Sequence, residues 1–157
     1  MELIKDNKEK LRSVYRLSNG FIRKYWYNKN ILWMSSHADL VKKFVPNYVY
    51  NYGENELGVW LDMYPIKGTP ANTIPHTKEF VEKIYKFCLD NIDKTYPYAH
   101  GDWVLSNMFI VDEEIKLCDW DNLGIYPKQE VIEKLHSDLR SAFGDLFDEV
   151  LHDTASV

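Results

Sequence analysis

The sequence predicts an α+β fold, in which a small antiparallel sheet precedes a mainly helical second half. Three observations carry that expectation. Asn19-Gly20 lies between two β-prone runs, and both residues tolerate the positive φ that a tight hairpin needs. Apolar residues recur at helical spacing over Thr77–Asp93 and again over Lys128–Leu151. Between the two halves, Pro65, Gly68, Pro70 and Pro75 punctuate a connecting stretch.

The elements follow in chain order. Ser13–Leu17 and Phe21–Trp26 read as the strands of the Asn-Gly hairpin, and residues 35–44 as a short amphipathic helix. Tyr48–Tyr52 and Gly58–Met63 read as two more strands around Gly53-Glu54-Asn55-Glu56. The first helical stripe runs through Phe80, Val81, Ile84, Tyr85, Phe87, Cys88 and Ile92, with Thr77 as N-cap. The second runs through Val131, Leu135, Leu139, Ala142, Phe143, Leu146 and Phe147 and reads as one long helix. The organisation expected is residues 1–64 as a small first lobe, 65–76 as hinge, and 77–157 as a second lobe.

Composition narrows the function classes. A net charge of −5 argues against a nucleic acid polymer as partner. The charge is uneven: residues 1–45 carry ten Lys and Arg against four Asp and Glu. A basic first segment and an acidic remainder suit a site with phosphate on one wall and metal-binding carboxylates on the other; a solvated basic N-terminus explains the same numbers. Eleven Tyr, seven Phe and five Trp supply core and interface packing, or an aromatic pocket for a sugar face or quaternary ammonium. Cys88 and Cys118 sit in apolar contexts and read as small buried hydrophobes. No apolar run is long enough for a signal peptide or membrane span, so the expectation is a cytoplasmic protein with no membrane partner.

Residues 100–119 hold the chemistry. Asp102 is followed five residues on by Asn107 and, after two apolar runs, by Asp119. Met108–Val111 and Ile115–Leu117 around Asp112-Glu113-Glu114 read as a hairpin, which returns Asp119 to the neighbourhood of Asn107. Two hard oxygen donors then converge, as Mg2+ coordination requires. Taken singly, each residue has an ordinary structural role, with His100 as a satisfied loop histidine, Asn107 as a turn former and Asp119 as a strand-end cap. Together they are the group types of phosphoryl transfer, in which one carboxylate orients a hydroxyl while an amide oxygen and another carboxylate hold the metal.

His100-Gly101-Asp102-x-x-x-x-Asn107 followed by Asp119-Trp120-Asp121 resembles the signature of the aminoglycoside phosphotransferase and choline kinase family. The resemblance covers Tyr98–Gly124 firmly. It implies a protein-kinase-like two-lobed fold with a reduced N-terminal antiparallel sheet and a mainly helical C-terminal lobe carrying a catalytic hairpin. It further implies Asp102 as the catalytic aspartate, Asn107 and Asp119 as metal ligands, and His100 as support for the catalytic loop. Asp121 matches the second acid of the family's D-W-[DE] segment. Asp138 resembles a later family aspartate that hydrogen-bonds the catalytic loop; alternatively it pairs with Lys134, four residues before it. In such a fold, residues near Asp62 to Ile66, with Asp62 and Tyr64 foremost, would offer backbone groups to an adenine edge.

The chain departs from the family in three places. The only turn available for a glycine-rich phosphate loop is Ser18-Asn19-Gly20. The phosphate-binding cation is Arg23 or Lys24, which alternate across their strand so that only one faces the nucleotide. The acid that would orient that cation has no clear counterpart, Asp39 being a weak substitute. Few residues follow Asp119, so the acceptor pocket is reduced, and either the acceptor is small or openly bound or a second subunit of a homo-oligomer completes the pocket.

These readings converge on an ATP- and Mg2+-dependent phosphotransferase acting on a hydroxyl of a small molecule of choline, aminoglycoside, sugar or amino-alcohol type. The alternative is a catalytically weak kinase-like module that binds nucleotide or a protein partner. Metal-dependent hydrolysis through His100, Asp102 and Asp119 is a third reading, disfavoured because His37, His76, His136 and His152 have no evident grouping.

Overall fold

In the computed structural model, which describes residues 1–155, the chain begins with a strand that its hydropathy does not signal, β1 (Glu2–Asn7). Five of its six residues are exposed, so neither face selects for apolar side chains and no period of two appears. β1 pairs antiparallel with β2 (Arg12–Arg16) through the turn Lys8–Leu11. That turn, rather than Ser18-Asn19-Gly20, joins the first two strands, and it contains no glycine. The Asn19-Gly20 turn, with Gly20 at φ +89°, leads instead from β2 into β3 (Ile22–Trp26).

Next come α1 (Ile31–Phe44), β4 (Val49–Asn55) and β5 (Gly58–Met63). The helix starts four residues earlier than its apolar pattern suggests, because the Asn30 side chain accepts the Trp33 N–H at 2.9 Å. The five strands form one antiparallel sheet in the order β1-β2-β3-β5-β4. Alternation along β3 and β5 puts Arg23, Tyr25, Trp60 and Asp62 on one face. Lys24, Trp26, Val59, Leu61 and Met63 share the other. α1 covers this second face, where the Trp26 ring meets Trp33 and His37 at centroid distances of 5.6 and 6.1 Å. Met34, Ala38 and Val41 complete the core beneath it. This sheet and helix form one unit, Met1–Pro65.

The second unit, Ile66–Val157, ends in two residues outside the described ones. The proline-punctuated stretch is more than a bare connection, because it contains β6 (Thr69–Pro70) and a 3-10 turn at Ala71–Thr73. α2 (Lys78–Thr95) follows, capped by Thr77 Oγ1, which accepts the Phe80 N–H at 3.1 Å. Then come β7 (Tyr98–Ala99), a 3-10 turn at Leu105–Asn107, β8 (Met108–Val111), β9 (Glu114–Leu117) and β10 (Gly124–Ile125). β6, β8 and β9 make one small sheet, and β7 pairs with β10.

The long final helix of the sequence reading is two helices, α3 (Lys128–Phe143) and α4 (Asp145–Ala155). Gly144 separates them at φ +59°, in the left-handed region where a helix ends. The apolar stripe continues across the break, so periodicity alone does not reveal it. α2, α3 and α4 pack on one another, with Val81, Ile84, Cys88, Leu135, Leu139 and Phe147 fully buried at their centre. Among the described residues, no helix is long and apolar enough to cross a membrane.

Candidate active site

Two backbone pairings build the site in the second unit. The β8–β9 hairpin turns through Asp112 and Glu113, both at positive φ, and sets Met108 opposite Leu117. One step outside that pair, the Cys118 N–H donates to the Asn107 carbonyl at 2.8 Å, leaving Asp119 beside Asn107. The β7–β10 pairing sets Ala99 opposite Gly124 and brings the loop after Asp119 back along residues 100 and 101. There the chains are tight: Gly101 lies at φ +85°, and a Cβ on it would meet the Asn122 carbonyl oxygen at 3.1 Å. Asp119 itself adopts φ +56°, a conformation that aspartate tolerates better than most residues and that collects at functional sites.

His100 is fully buried between the rings of Trp103 and Trp120, at centroid distances of 5.6 and 4.6 Å. Its Nε2 is 2.8 Å from the Cys118 carbonyl, which can only accept. Its Nδ1 accepts the Asp102 N–H at 3.2 Å. The two partners define the neutral tautomer protonated at Nε2. Burial holds the imidazole below its ordinary pKa, against the Cys118 hydrogen bond and the charges of Asp119, Asp102 and Asp121. That opposing pull puts all three carboxylates in the electrostatic neighbourhood of one histidine.

Asp102 is held from two sides. Its backbone N–H is tied to His100, and its Oδ2 accepts from Asn107 Nδ2 at 3.0 Å. The next residue is also fixed, since the Trp103 N–H donates to Asp138 Oδ2 at 3.0 Å. Lys134 Nζ donates to the other oxygen of Asp138 at 2.6 Å. Both partners weighed for Asp138 are therefore present at once, one on each carboxylate oxygen.

No group of three or more His, Cys, Asp and Glu among the described residues is arranged to hold a metal ion. Asn107 and Asp119 nonetheless fit a hard cation. Asn107 spends its N–H end on Asp102, which leaves its amide oxygen as the donor, and a carboxylate beside it completes an all-oxygen pair. Mg2+ needs few protein ligands when phosphate oxygens and waters fill its octahedron.

The cofactor candidates of the first unit are arranged differently from the sequence reading. Asp62 lies in the middle of the sheet, with β3 on one side and β4 on the other, so its backbone is no free edge. Its carboxylate instead takes Arg23 in a two-pronged pair, Nε to Oδ1 at 2.7 Å and Nη2 to Oδ2 at 2.9 Å. This hydrogen-bonded pairing raises the Arg23 pKa further. The guanidinium also stacks 3.9 Å from the Trp60 ring centroid. The acid that orients a β3 cation is thus Asp62 on Arg23, while Asp39 sits on the exposed side of α1. Lys24 points to the opposite face, its Nζ 5.3 Å from the Trp26 ring centroid. The Tyr64 N–H is taken by the Tyr48 carbonyl at 3.0 Å, and its ring packs with Phe21 and Tyr50.

The fold has known counterparts. The chain is similar to the aminoglycoside phosphotransferase APH(3'')-Id of Streptomyces rimosus at TM-score 0.66, with 13% identity over 99% of this chain and 84% of that one. The fold is kinase-like. It is also similar to the Cydia pomonella granulovirus kinase PK-1, at TM-score 0.52 and 19% identity over 80% of this chain and 54% of that one. A third counterpart is WbdD, at TM-score 0.56 and 14% identity over 87% of this chain and 36% of that one. Two of the three are by name a phosphotransferase and a kinase, and the likeness to all three is one of fold. Neither a protein-family model nor a curated protein sequence matches the chain.

The sequence reading missed the surroundings of Asp102. A cavity of about 280 Å³ is lined by Gly101, Trp103, Asn122, Tyr126, Glu130, Val131 and Lys134. The helical periodicity of α3 puts Glu130, Val131 and Lys134 within one turn of each other, but nothing local pairs that turn with residues 101 and 103.

Proposed function

We propose that the protein is an ATP- and Mg2+-dependent phosphotransferase whose acceptor is a hydroxyl of a small molecule. The observation that carries this reading is the hydrogen bond from Asn107 Nδ2 to Asp102 Oδ2, at 3.0 Å, in a loop secured by His100 and Asp138. It couples the candidate base to the candidate metal ligand, and the kinase-like fold supports the same chemistry. Bound Mg-ATP would supply the transferable phosphoryl group. Asp102 orients the acceptor hydroxyl and takes up its proton as the new bond to phosphorus forms. Asn107 Oδ1 and the Asp119 carboxylate would hold the cation, and neutral His100 keeps the loop's shape without adding charge. The phosphate-binding cation is one of the two on β3: Asp62 orients the Arg23 guanidinium as an acid orients the β3 cation of kinases, and Lys24 lies on the opposite face.

The test is ATP turnover with Mg2+ against a panel of small alcohols, for the natural chain and Asp102→Asn. The substitution is expected to lower turnover by roughly 10²–10⁴-fold and leave nucleotide affinity largely intact. Full activity in Asp102→Asn would sink the assignment.

One observation favours a second reading, that of a kinase-like module with little or no turnover. The Lys8–Leu11 turn between the first two strands lacks the glycines with which kinases cover phosphates. Nucleotide binding by the natural chain, with no phosphorylated product from any acceptor, is the outcome that selects it.

A further inference from the structure

β1 is a free edge of the five-stranded sheet, and it carries two adjacent exposed apolar side chains, Leu3 and Ile4, 52% and 47% exposed. A free edge presents a row of backbone N–H and C=O groups to any strand that can align with it. The opposite edge, β4, exposes only Tyr50 among its large apolar residues. On β1 two opposite charges bracket the apolar pair, Glu2 before it and Lys5 after it.

The register with β2 decides which of these residues share a face. Glu2 lies opposite Arg16 and Lys5 opposite Val14, whose β3 partners Ile22 and Lys24 belong to the face that α1 covers. Leu3 lies opposite Tyr15, which pairs with Arg23 on the other face. In a regular strand, residues 2 and 5 would point to opposite faces. The bulge between Leu3 and Lys5 takes up one extra residue and returns both charges to the same face. Glu2 and Lys5 are therefore equivalently placed on the two sides of the bulge.

We propose that β1 pairs antiparallel with β1 of a second copy of this chain, about a two-fold axis that passes through the sheet at the Leu3–Ile4 bulge. Such an axis keeps the faces of the two sheets on the same sides and closes after two copies. Glu2 of each copy then meets Lys5 of the other on one face. Leu3 and Ile4 of the two copies come together at the axis, and the two sheets become continuous. Sliding the register by one residue would set Glu2 against Asp6 or against Ile4, so one alignment alone matches charge to charge and apolar to apolar. This pairing uses the first unit only and is independent of phosphotransferase chemistry. A six-residue edge falls short of the ~1,200 Å² of a standard stable interface, so the dimer is a weak one.

Sedimentation velocity of the full chain from about 10 µM to 1 mM covers the range in which such an interface associates. The natural chain is expected to pass from monomer to dimer within it. Glu2→Lys and Lys5→Glu each turn both cross-copy pairs from attraction to repulsion, and each should weaken association by about tenfold or more. An equimolar mixture of the two variants should associate as the natural chain does, because every pair across the axis then joins opposite charges. The double variant Glu2→Lys/Lys5→Glu should dimerise for the same reason. Both side chains are exposed, and an unchanged circular dichroism spectrum rules out misfolding as the cause of any loss. A chain monomeric throughout the range, a dimer indifferent to both single substitutions, or a mixture that associates no better than its components would overturn the proposal.

Discussion

Asn107 donates its amide N–H to Asp102 Oδ2 at 3.0 Å, so the two residues that bracket the catalytic-type loop act as one unit. The bond orients the carboxylate and also decides which end of the amide remains for a cation. Asn107→Asp separates the two effects, since it keeps an oxygen donor for the metal but replaces the N–H with a second carboxylate facing Asp102. Turnover is expected to fall about 10²-fold in Asn107→Asp, as in Asn107→Ala. An ADP-release assay at saturating Mg2+ makes the comparison. Retention of more than about a tenth of the activity by Asn107→Asp would mean that the bond to Asp102 does not matter.

Asp138 joins α3 to the same loop. Its side chain is only 10% exposed and satisfies two donors, the Trp103 N–H and Lys134 Nζ. Asp138→Ala strands the backbone donor, at a cost of about 1–3 kcal/mol. That corresponds to a fall in Tm of roughly 2–12 °C for a chain of this size. Lys134→Ala removes only a half-exposed partner and should cost less than ~1 kcal/mol. Thermal unfolding followed by circular dichroism ranks the two, and an equal or reversed ranking would count against the loop-anchoring role.

The neighbouring cations of β3 should separate by phenotype. Arg23 is 21% exposed at its side chain and Asp62 only 6%, so Arg23→Ala leaves a nearly buried carboxylate without its partner. The expected loss of stability is about 2–3 kcal/mol, below the ~3–5 kcal/mol of a fully buried pair because Arg23 keeps contact with water. Whichever of Arg23→Ala and Lys24→Ala removes the phosphate contact should raise the KM for ATP. Urea unfolding and nucleotide titration of both variants measure the split. A nucleotide defect confined to Arg23→Ala would assign the phosphate contact to Arg23, one confined to Lys24→Ala would assign it to Lys24, and a defect in neither would remove both from the site.

How much of this was legible in the sequence depends on the range of each determinant. The Asn19-Gly20 turn and the β8–β9 hairpin are written in adjacent residues, and so is the Thr77 cap of α2. β1 escaped because an exposed edge strand carries no periodic signal. The break at Gly144 escaped because Phe143 and Phe147 keep the apolar stripe running through it. The Arg23–Asp62 pair joins residues 39 apart and exists only because β5, not β4, lies next to β3. In the second unit the spacing of Asp102, Asn107 and Asp119 is a local pattern. The cavity beside it is not, since Trp103 and Glu130 line one space only after α3 packs behind the loop.

His100 makes acidification a test of the buried loop. Burial depresses its folded-state pKa below the ordinary value of 6.5, more than the Cys118 bond and nearby carboxylates restore. Above pH 6.5 both the folded and unfolded chains carry it neutral, and its contribution to stability is fully present. Below 6.5 the unfolded chain binds a proton that the folded chain resists, so stability falls with pH until the folded-state value is passed. One such group cannot change stability by more than about 1.4 kcal/mol per pH unit. His136 shifts in the same direction, through burial and then Arg140, and adds to the trend. Urea unfolding between pH 7.5 and 5.5 should therefore show declining stability, with a smaller slope in His100→Gln. NMR on the natural chain isolates the residue even if that variant unfolds, because the His100 ring-carbon protons should titrate with a midpoint below 6.5. Protonation of His100 at or above pH 6.5 in the folded chain would show that the imidazole is not sealed between Trp103 and Trp120.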